Sequence, residues 1–141
     1  MRAGRVDDRG SISIWLVTAT FAMTLLVGVA VDLTGQVHAQ QHAQQVAAQA
    51  ARTAGQQLQA PPAVRGQYAQ VDLSPAVAAA ETFLAASDVT GSAHPRGGTT
   101  VVVDTTDTYQ TVFLSIIGLD GLTVHGHSES RVVRVAGGVE Q

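Results

Sequence analysis

Two histidine pairs are the residues of this chain whose spacing could do chemistry. His38 and His42 stand at i and i+4 in "HAQQH", a spacing that can present two imidazoles to one metal ion. No carboxylate or third ligand lies near them in sequence, and the glutamate of a zinc-protease helix is missing. His125 and His127 alternate along a predicted strand and share one of its faces. We predict that all four are solvated surface histidines and that neither pair is a metal site.

Other catalytic signals are absent from the sequence. Ser, His and Asp occur, but there is no glycine-flanked nucleophile, phosphate loop, paired-carboxylate signal or cofactor fingerprint. The lack of cysteine excludes a disulfide framework and a thiol nucleophile. The net charge of -3 leaves no basic patch for phosphates. We therefore predict a protein that is not an enzyme and uses no cofactor, metal, nucleic acid or small-molecule substrate.

An uncharged stretch from Ser11 to Val31 dominates the organisation of the chain. As a helix it would span roughly 30 Å, the thickness of a bilayer core. The apolar region of a cleaved export signal is shorter, about 7–15 residues. A cut near Gly28 and Ala30 stays open as an alternative, which would make the chain a secreted protein.

Arginine placement sets the predicted orientation. Arg2, Arg5 and Arg9 precede the apolar stretch, and the next basic residue is Arg52. By the positive-inside rule, residues 1–10 form a cytoplasmic leader, and the chain from residue 32 onward lies outside. The prediction is a single-pass protein of the cytoplasmic membrane, with the lipid bilayer as one partner.

A stripe of small and polar residues recurs at every fourth position of this predicted helix. Such a stripe lets two helix backbones approach closely, so it is a candidate helix-packing face. Alternatively, Thr and Gly are simply tolerated in a single span, and the aspartate marks its boundary with water. The stripe consists of Thr20, Thr24, Gly28 and Asp32.

Residues 32–59 are rich in Ala and Gln and predict a helical stalk that continues the membrane helix to about Gln59. Pro61 and Pro62 end it. A helix this polar needs neighbours, either its own C-terminal domain or other subunits. Its narrow apolar seam consists of Leu33, Val37, Val46, Ala50, Ala54 and Leu58.

After a linker at 60–73, residues 74–141 predict a small α+β domain. "LSPAVAAAETFLAASDVTG" indicates a short helix with Ser74 as N-cap, Pro75 in the first turn and Gly91 beyond its end. The following "GSAHPRGG" is typical of a loop. The buried face of this helix is predicted to be Val77, Ala80, Phe83 and Leu84.

Strand patterns follow the loop. "TTVVVDTT" at 99–106 has strong β propensity, and "LTVHGHSESRVVRV" alternates with Leu122, Val124 and Gly126 on one side. Between them, either 109–114 is a strand or 112–117 is a helical turn. We predict one helix on an antiparallel sheet of about three strands, whose edges could pair with a partner.

These features together resemble one family. "RG" before the apolar span, "GVAVDLTGQ" at its exit, the Ala/Gln helix, "FLAASDVTG" and "FLSIIGLDGLTVHGHSESRVV" resemble the TadE/TadG-like proteins, minor pilin-like components of tight-adherence (Flp-type) pilus systems. The resemblance covers nearly the whole chain and rests on diffuse patterns. It implies a pilin-like helix that packs against other pilin-like or Tad-system proteins, and a pseudopilin or assembly factor connected with cell adhesion.

The resemblance also implies a leader-peptidase cut after a glycine, which would be Gly10, with Ser11 as the first mature residue. Pilin-type substrates usually carry Glu at the fifth mature position, where this chain has Trp15. Asp32 lies too far along the helix to replace it. Retention as an uncut anchor is therefore the alternative to processing.

The leading hypothesis is a non-enzymatic, membrane-anchored structural component of a Tad/Flp-type pilus or a related secretion assembly. The alternatives are a single-pass extracytoplasmic binding or sensor module, and the secreted protein described above. The mass of the mature protein separates a start at Met1, Ser11 or Val31.

Overall fold

The computed structural model describes residues 9–59, 72–131, 135–136 and 139–140. Its first element, α1, is an unbroken helix of 51 residues, Arg9–Gln59. The predicted helix from Ser11 to Gln59 is therefore confirmed, with a start two residues earlier. Most of the predicted leader and residues 60–71 of the predicted linker lie outside the described residues.

The outer domain consists of one further helix and a sheet. Helix α2 (Ser74–Ala85) precedes strands β1 (Thr90–Arg96), β2 (Thr100–Gln110) and β3 (Gly121–Arg131), with a 3-10 turn at Leu114–Ile117 between β2 and β3. The three strands are antiparallel in the order β1-β2-β3, and the short strands β4 (Val135–Ala136) and β5 (Val139–Glu140) pair with each other. The predicted α+β class is confirmed, and 114–117 adopts the helical alternative.

Alternation along the strands decides which side chains meet the helices. Val101, Val103 and Thr105 of β2 are buried, and Val124 and Gly126 of β3 lie on the same side. This face packs on α1 and α2, whose buried positions are mostly alanine, so that the helices approach the sheet closely. The helical part of the core consists of Ala43, Val46, Ala47, Ala50, Ala51 and Ala54 from α1, and Ala76, Ala80 and Leu84 from α2.

The sheet lies lengthwise along α1. Ser130 contacts Gly55, Gly126 contacts Ala43, and Tyr109 contacts Gly35, so β2 runs antiparallel to α1 and β3 runs parallel to it. The predicted stalk segment 32–59 thus packs alongside the outer domain. The β2–β3 loop (residues 111–120) is directed toward the apolar N-terminal half of the helix.

Two local expectations were wrong. Most of "GSAHPRGG" belongs to β1, and Pro95 is tolerated because β1 is an edge strand. The N-cap position of α2 is Leu73, without a side-chain capping hydrogen bond, and Ser74 is the first residue of the helix. The Oδ1 of Asp72, just before the cap, accepts the backbone N–H of Ser74 at 2.9 Å. In the predicted seam, Leu33 and Val37 are exposed, whereas its central members are buried. The side chain of Leu58 lies outside the described residues.

Candidate functional site

The N-terminal part of α1 presents apolar side chains on every side. Between Ile12 and Val27 most residues are exposed, and Trp15 among them is 70 % exposed. By length and composition α1 could cross a membrane, the one helix of the described residues for which this holds. A helix that is apolar all round needs lipid or other helices as its surroundings.

The predicted packing stripe divides into two parts. Thr20 and Thr24 are exposed, and their hydroxyls donate to the carbonyls of Leu16 and Thr20, each at 2.9 Å. Gly28 and Asp32 are buried against the β2–β3 loop of the same chain. The C-terminal half of the stripe, Gly28 and Asp32, therefore packs against the outer domain, whereas the N-terminal half, Thr20 and Thr24, stays exposed. Gly10 and Ser11 lie in α1, and their side chains are outside the described residues.

Two glycines form notches for aromatic rings on this face of α1. A Cβ at Gly28 would lie 2.6 Å from Cγ of Phe113, and a Cβ at Gly35 would overlap the ring of Tyr109. A side chain at either position would displace the ring, so glycine lets both rings lie on the helix backbone. The i, i+7 spacing places both notches on one side, two turns apart.

Asp32 lies between the two notches and holds the loop through its backbone. Its Oδ1 accepts the N–H of Val112 at 2.8 Å, and its Oδ2 accepts the N–H groups of Phe113 at 2.9 Å and Leu114 at 2.7 Å. Tyr109 adds its hydroxyl to Oδ1 at 3.4 Å. These amides open the 3-10 turn and have no partner within it, so the carboxylate caps the turn from another element.

The environment favours the ionised form of Asp32. Burial raises the pKa of the carboxyl. The hydrogen bonds from the N–H groups of Val112, Leu114 and Phe113 and from the Tyr109 hydroxyl together lower it by more, so the pKa lies below its usual value. Burial and the neighbouring carboxylate raise the pKa of Tyr109. The site therefore keeps one negative charge fully buried and fully hydrogen-bonded.

The β2–β3 loop is also closed at its own base. Thr111 donates its backbone N–H to the carbonyl of Asp120 at 3.2 Å, and its hydroxyl donates to the carbonyl of Leu119. Gly118 ends the 3-10 turn with a φ of 87°, a left-handed conformation that favours glycine. The loop is thus fixed both internally and to α1.

Comparison with known proteins bears on α1. Residues 10–57 match the model of the Tad family, described as "Putative Flp pilus-assembly TadE/G-like". Over these residues, α1 is similar to TadE/G-like proteins. The match confirms the resemblance over residues 10–57 and supports a pilus-assembly component. Neither a curated protein nor a solved structure matches the chain.

The TadE/G-like helix also covers the free edge of β3. The Gln44 side chain accepts the backbone N–H of His127 at 3.1 Å and donates to its carbonyl at 2.6 Å, as a neighbouring strand would. Gln40 donates to the carbonyl of His125 at 2.9 Å. The two glutamines thus bind three backbone groups in the middle of an edge that would otherwise invite pairing with another chain.

The histidines of the two predicted pairs lie apart from the Asp32 site. His38 is exposed on α1, and His42 lies 3.6 Å from carboxylates of both Asp88 and Asp107. His125 is exposed on β3, where its ring meets the hydroxyl of Thr106 at 3.1 Å. In the described part of the chain no group of three such side chains could hold a metal ion.

His127 belongs to a polar cluster on the outer face of the sheet. Its Nδ1 lies 2.7 Å from Oδ1 of Asp104, and its Nε2 lies 3.5 Å from Glu129, which also pairs with Arg96 of β1. The hydrogen bond to Asp104 raises the pKa of His127; burial lowers it less than the two carboxylates together raise it. The cluster ties the three strands together across their exposed face.

Sequence reasoning found Gly28 and Asp32 but missed what they bind. The contacts of Gly28 with Phe113 and of Gly35 with Tyr109 were not predicted. A signal existed: Gly28, Asp32 and Gly35 fall at i, i+4 and i+7, which is one face of a helix. Small residues on that face imply a close neighbour, and the buried acid implies donors from it.

Proposed function

We propose that the chain is a non-enzymatic, membrane-anchored structural component of a Tad/Flp-type pilus or related secretion assembly. The observation that carries the proposal is the TadE/G-like helix itself, whose apolar N-terminal part is exposed and whose C-terminal part is built into a small outer domain. Such a helix has one end free to pack among lipid and other pilin-like helices. The outer domain then supplies lateral contacts outside the membrane.

The exposed N-terminal half of the packing stripe is the proposed contact with other subunits. Thr20 and Thr24 are small, exposed and one turn apart, so a second helix can approach closely there. Leu26 points to nearly the opposite side of the helix and is also exposed. The chain contains no cysteine, so single cysteines can report on each face separately.

The test is crosslinking in native membranes of cells that express the full chain. We expect Thr24→Cys to capture pilus-system proteins through a short thiol-reactive crosslinker, and Leu26→Cys, the matched control, to capture clearly less. Equal capture from both positions would remove the specific packing face. Recovery of no pilus-system component from either position would overturn the assembly proposal.

An apolar N-terminal segment of α1 that is retained fits this function better than a cleaved export signal. A cut after Ala30 would remove Gly28, on which the ring of Phe113 lies, and would leave Asp32 next to a new N-terminus. Intact mass of the mature protein separates a start at Met1 from one at Ser11 or Val31. A start at Val31 would contradict the anchor, and one at Ser11 would indicate leader-peptidase processing despite Trp15.

The proposed topology places the N-terminus in the cytoplasm and the domain outside. Arg2, Arg5 and Arg9 on the N-terminal side support it. A membrane-impermeant thiol reagent added to intact cells should label Thr99→Cys in the outer domain. Labelling of Thr99→Cys only after lysis would reverse the orientation.

A further inference from the structure

The β2–β3 loop carries a compact set of exposed apolar side chains. Ile116 is 78 % and Ile117 66 % exposed, and between Thr111 and Leu119 the sequence contains no charged residue. Single exposed apolar residues are ordinary on a protein surface, but a contiguous group on one short loop calls for a covering partner. The group consists of Val112, Phe113, Ile116, Ile117 and Leu119.

The loop lies beside the end of the apolar part of α1. The ring of Phe113 lies on Gly28, and the adjoining amides are held by Asp32. Gly28 is three residues before the end of the uncharged stretch at Val31, which is about 4.5 Å along a helix. The loop therefore lies at the same depth in a membrane as the end of the apolar part of α1.

The direction of the strands points the same way. β2 runs antiparallel to α1, so its end at Gln110 and the loop beyond it form the end of the sheet nearest to the apolar half of the helix. The opposite end, at the β1–β2 turn near Thr99, lies beside the last turns of α1. The loop is thus the part of the outer domain that first meets the surface from which α1 emerges.

We propose that the β2–β3 loop inserts its apolar side chains into the headgroup–acyl boundary of the outer leaflet, so that the domain sits on the lipid surface. Interfacial elements bury apolar side chains about 5–10 Å into that boundary. The contact of Phe113 with Gly28 keeps the loop beside the end of the uncharged stretch, where such a boundary would lie. The hydrogen bonds to Asp32 and the closed base at Thr111 already order the loop, so its insertion does not carry the entropy cost of ordering a flexible segment. The proposal rests on the membrane anchoring stated above.

The test uses the full chain in lipid vesicles, with one environment-sensitive fluorophore on a single introduced cysteine. Labels at Ile116→Cys and Ile117→Cys report on the loop. Phe21→Cys is the control within the apolar helix, and Thr99→Cys is the control at the far end of the sheet. Each label is challenged with nitroxide lipids, carrying the spin label near the headgroup or deep in the chain, and with aqueous iodide.

We expect both loop labels to lose fluorescence to shallow nitroxide lipids, the Phe21 label to deep ones, and the Thr99 label to iodide alone. Loop labels that behave like the Thr99 label would overturn the insertion and leave the anchor intact. Loop labels protected from iodide and from both nitroxide lipids, with crosslinking between copies, would also overturn it, because a second copy would then cover the loop. A Phe21 label that deep nitroxide lipids do not reach would remove the anchor and the insertion together.

Discussion

Asp32 is the residue on which the junction between the apolar helix and the outer domain depends. Asp32→Asn replaces one of the two accepting oxygens by an amide N–H₂, which faces backbone donors and cannot bond them. We expect a less stable junction, with faster hydrogen exchange at Val112, Phe113 and Leu114. Asp120→Asn, an exposed carboxylate at the base of the same loop, is the matched control and should leave these amides unchanged.

The same carboxylate predicts a dependence of stability on acid. Because the pKa of Asp32 is lowered in the folded chain, its contribution is fully present above the ordinary aspartate value of about 3.9. It is lost as the pH falls through the lowered folded-state value. Urea unfolding in detergent micelles from pH 6 down to pH 3 should therefore show a decline in stability that is reduced in Asp32→Asn. An equal decline in that variant would contradict the assignment.

His127 predicts the opposite sign on the outer face of the sheet. Its pKa is raised by Asp104 and Glu129, so its contribution is present below the ordinary value of about 6.5 and is lost as the pH rises through the folded-state value. The titratable and charged groups around it are those two carboxylates, with His94 and Arg96 beyond them. The effect is small because the ring is half exposed. His127→Gln should reduce the stability difference between pH 6 and pH 8, and His38→Gln should not.

At the scale of elements, Gly126 sets how closely α1 approaches β3. A Cβ there would clash with the carbonyl oxygen of Ala43, which also accepts the buried hydroxyl of Thr105 at 2.9 Å. Gly126→Ala must push the helix away and should lower the free energy of unfolding by about 1–3 kcal/mol. In the same strand, a Cβ at Gly121 would lie 3.1 Å from Cγ2 of Thr108 and 3.7 Å from the nearest backbone atom, the carbonyl oxygen of Tyr109, so Gly121→Ala should cost less. Denaturant unfolding of both variants in micelles measures the difference; equal losses would contradict the close approach.

Gln44 predicts how well the edge of β3 is protected. Gln44→Ala removes two hydrogen bonds to the backbone of His127, each with a net value of about 0.5–1.5 kcal/mol. We expect faster hydrogen exchange at the His127 N–H and more association between copies. Gln45→Ala, an exposed neighbour, controls for the change in helix propensity. Unchanged exchange in Gln44→Ala would show that the edge does not depend on this side chain.

Local patterns were enough to predict most elements but not their contacts. The long helix follows from uninterrupted helix formers, and β3 from its alternation, because both signals lie within a few residues of each other. β1 was missed because Gly91 and Pro95 are typical of loops and are tolerated only through its place at the sheet edge. The partners of Asp32 lie about eighty positions away in sequence, and a periodicity within α1 cannot indicate which distant residues it contacts.

At the scale of the whole molecule, α1 is both the proposed membrane helix and a large part of the outer domain's core. The sheet and α2 bury their inner faces against its alanines, and Ala47 and Ala50 are fully buried there. A fragment of residues 60–141 therefore loses one side of its core and exposes β3 as an open edge. We expect this fragment to lack a cooperative unfolding transition and a dispersed NMR spectrum.

A fragment of residues 28–141 is the matched control, because it keeps the glycine notches, Asp32 and the alanine face but omits most of the apolar span. It should fold, and a peptide of residues 28–59 added to fragment 60–141 should restore part of the dispersion. If fragment 60–141 folds by itself, the helix is an attached anchor and a separate extracytoplasmic module becomes the better description. If it does not, the membrane span cannot shift or tilt without moving the outer domain, since one continuous helix is shared by both. Contacts made between helices within the bilayer would then set the arrangement of the domains outside it.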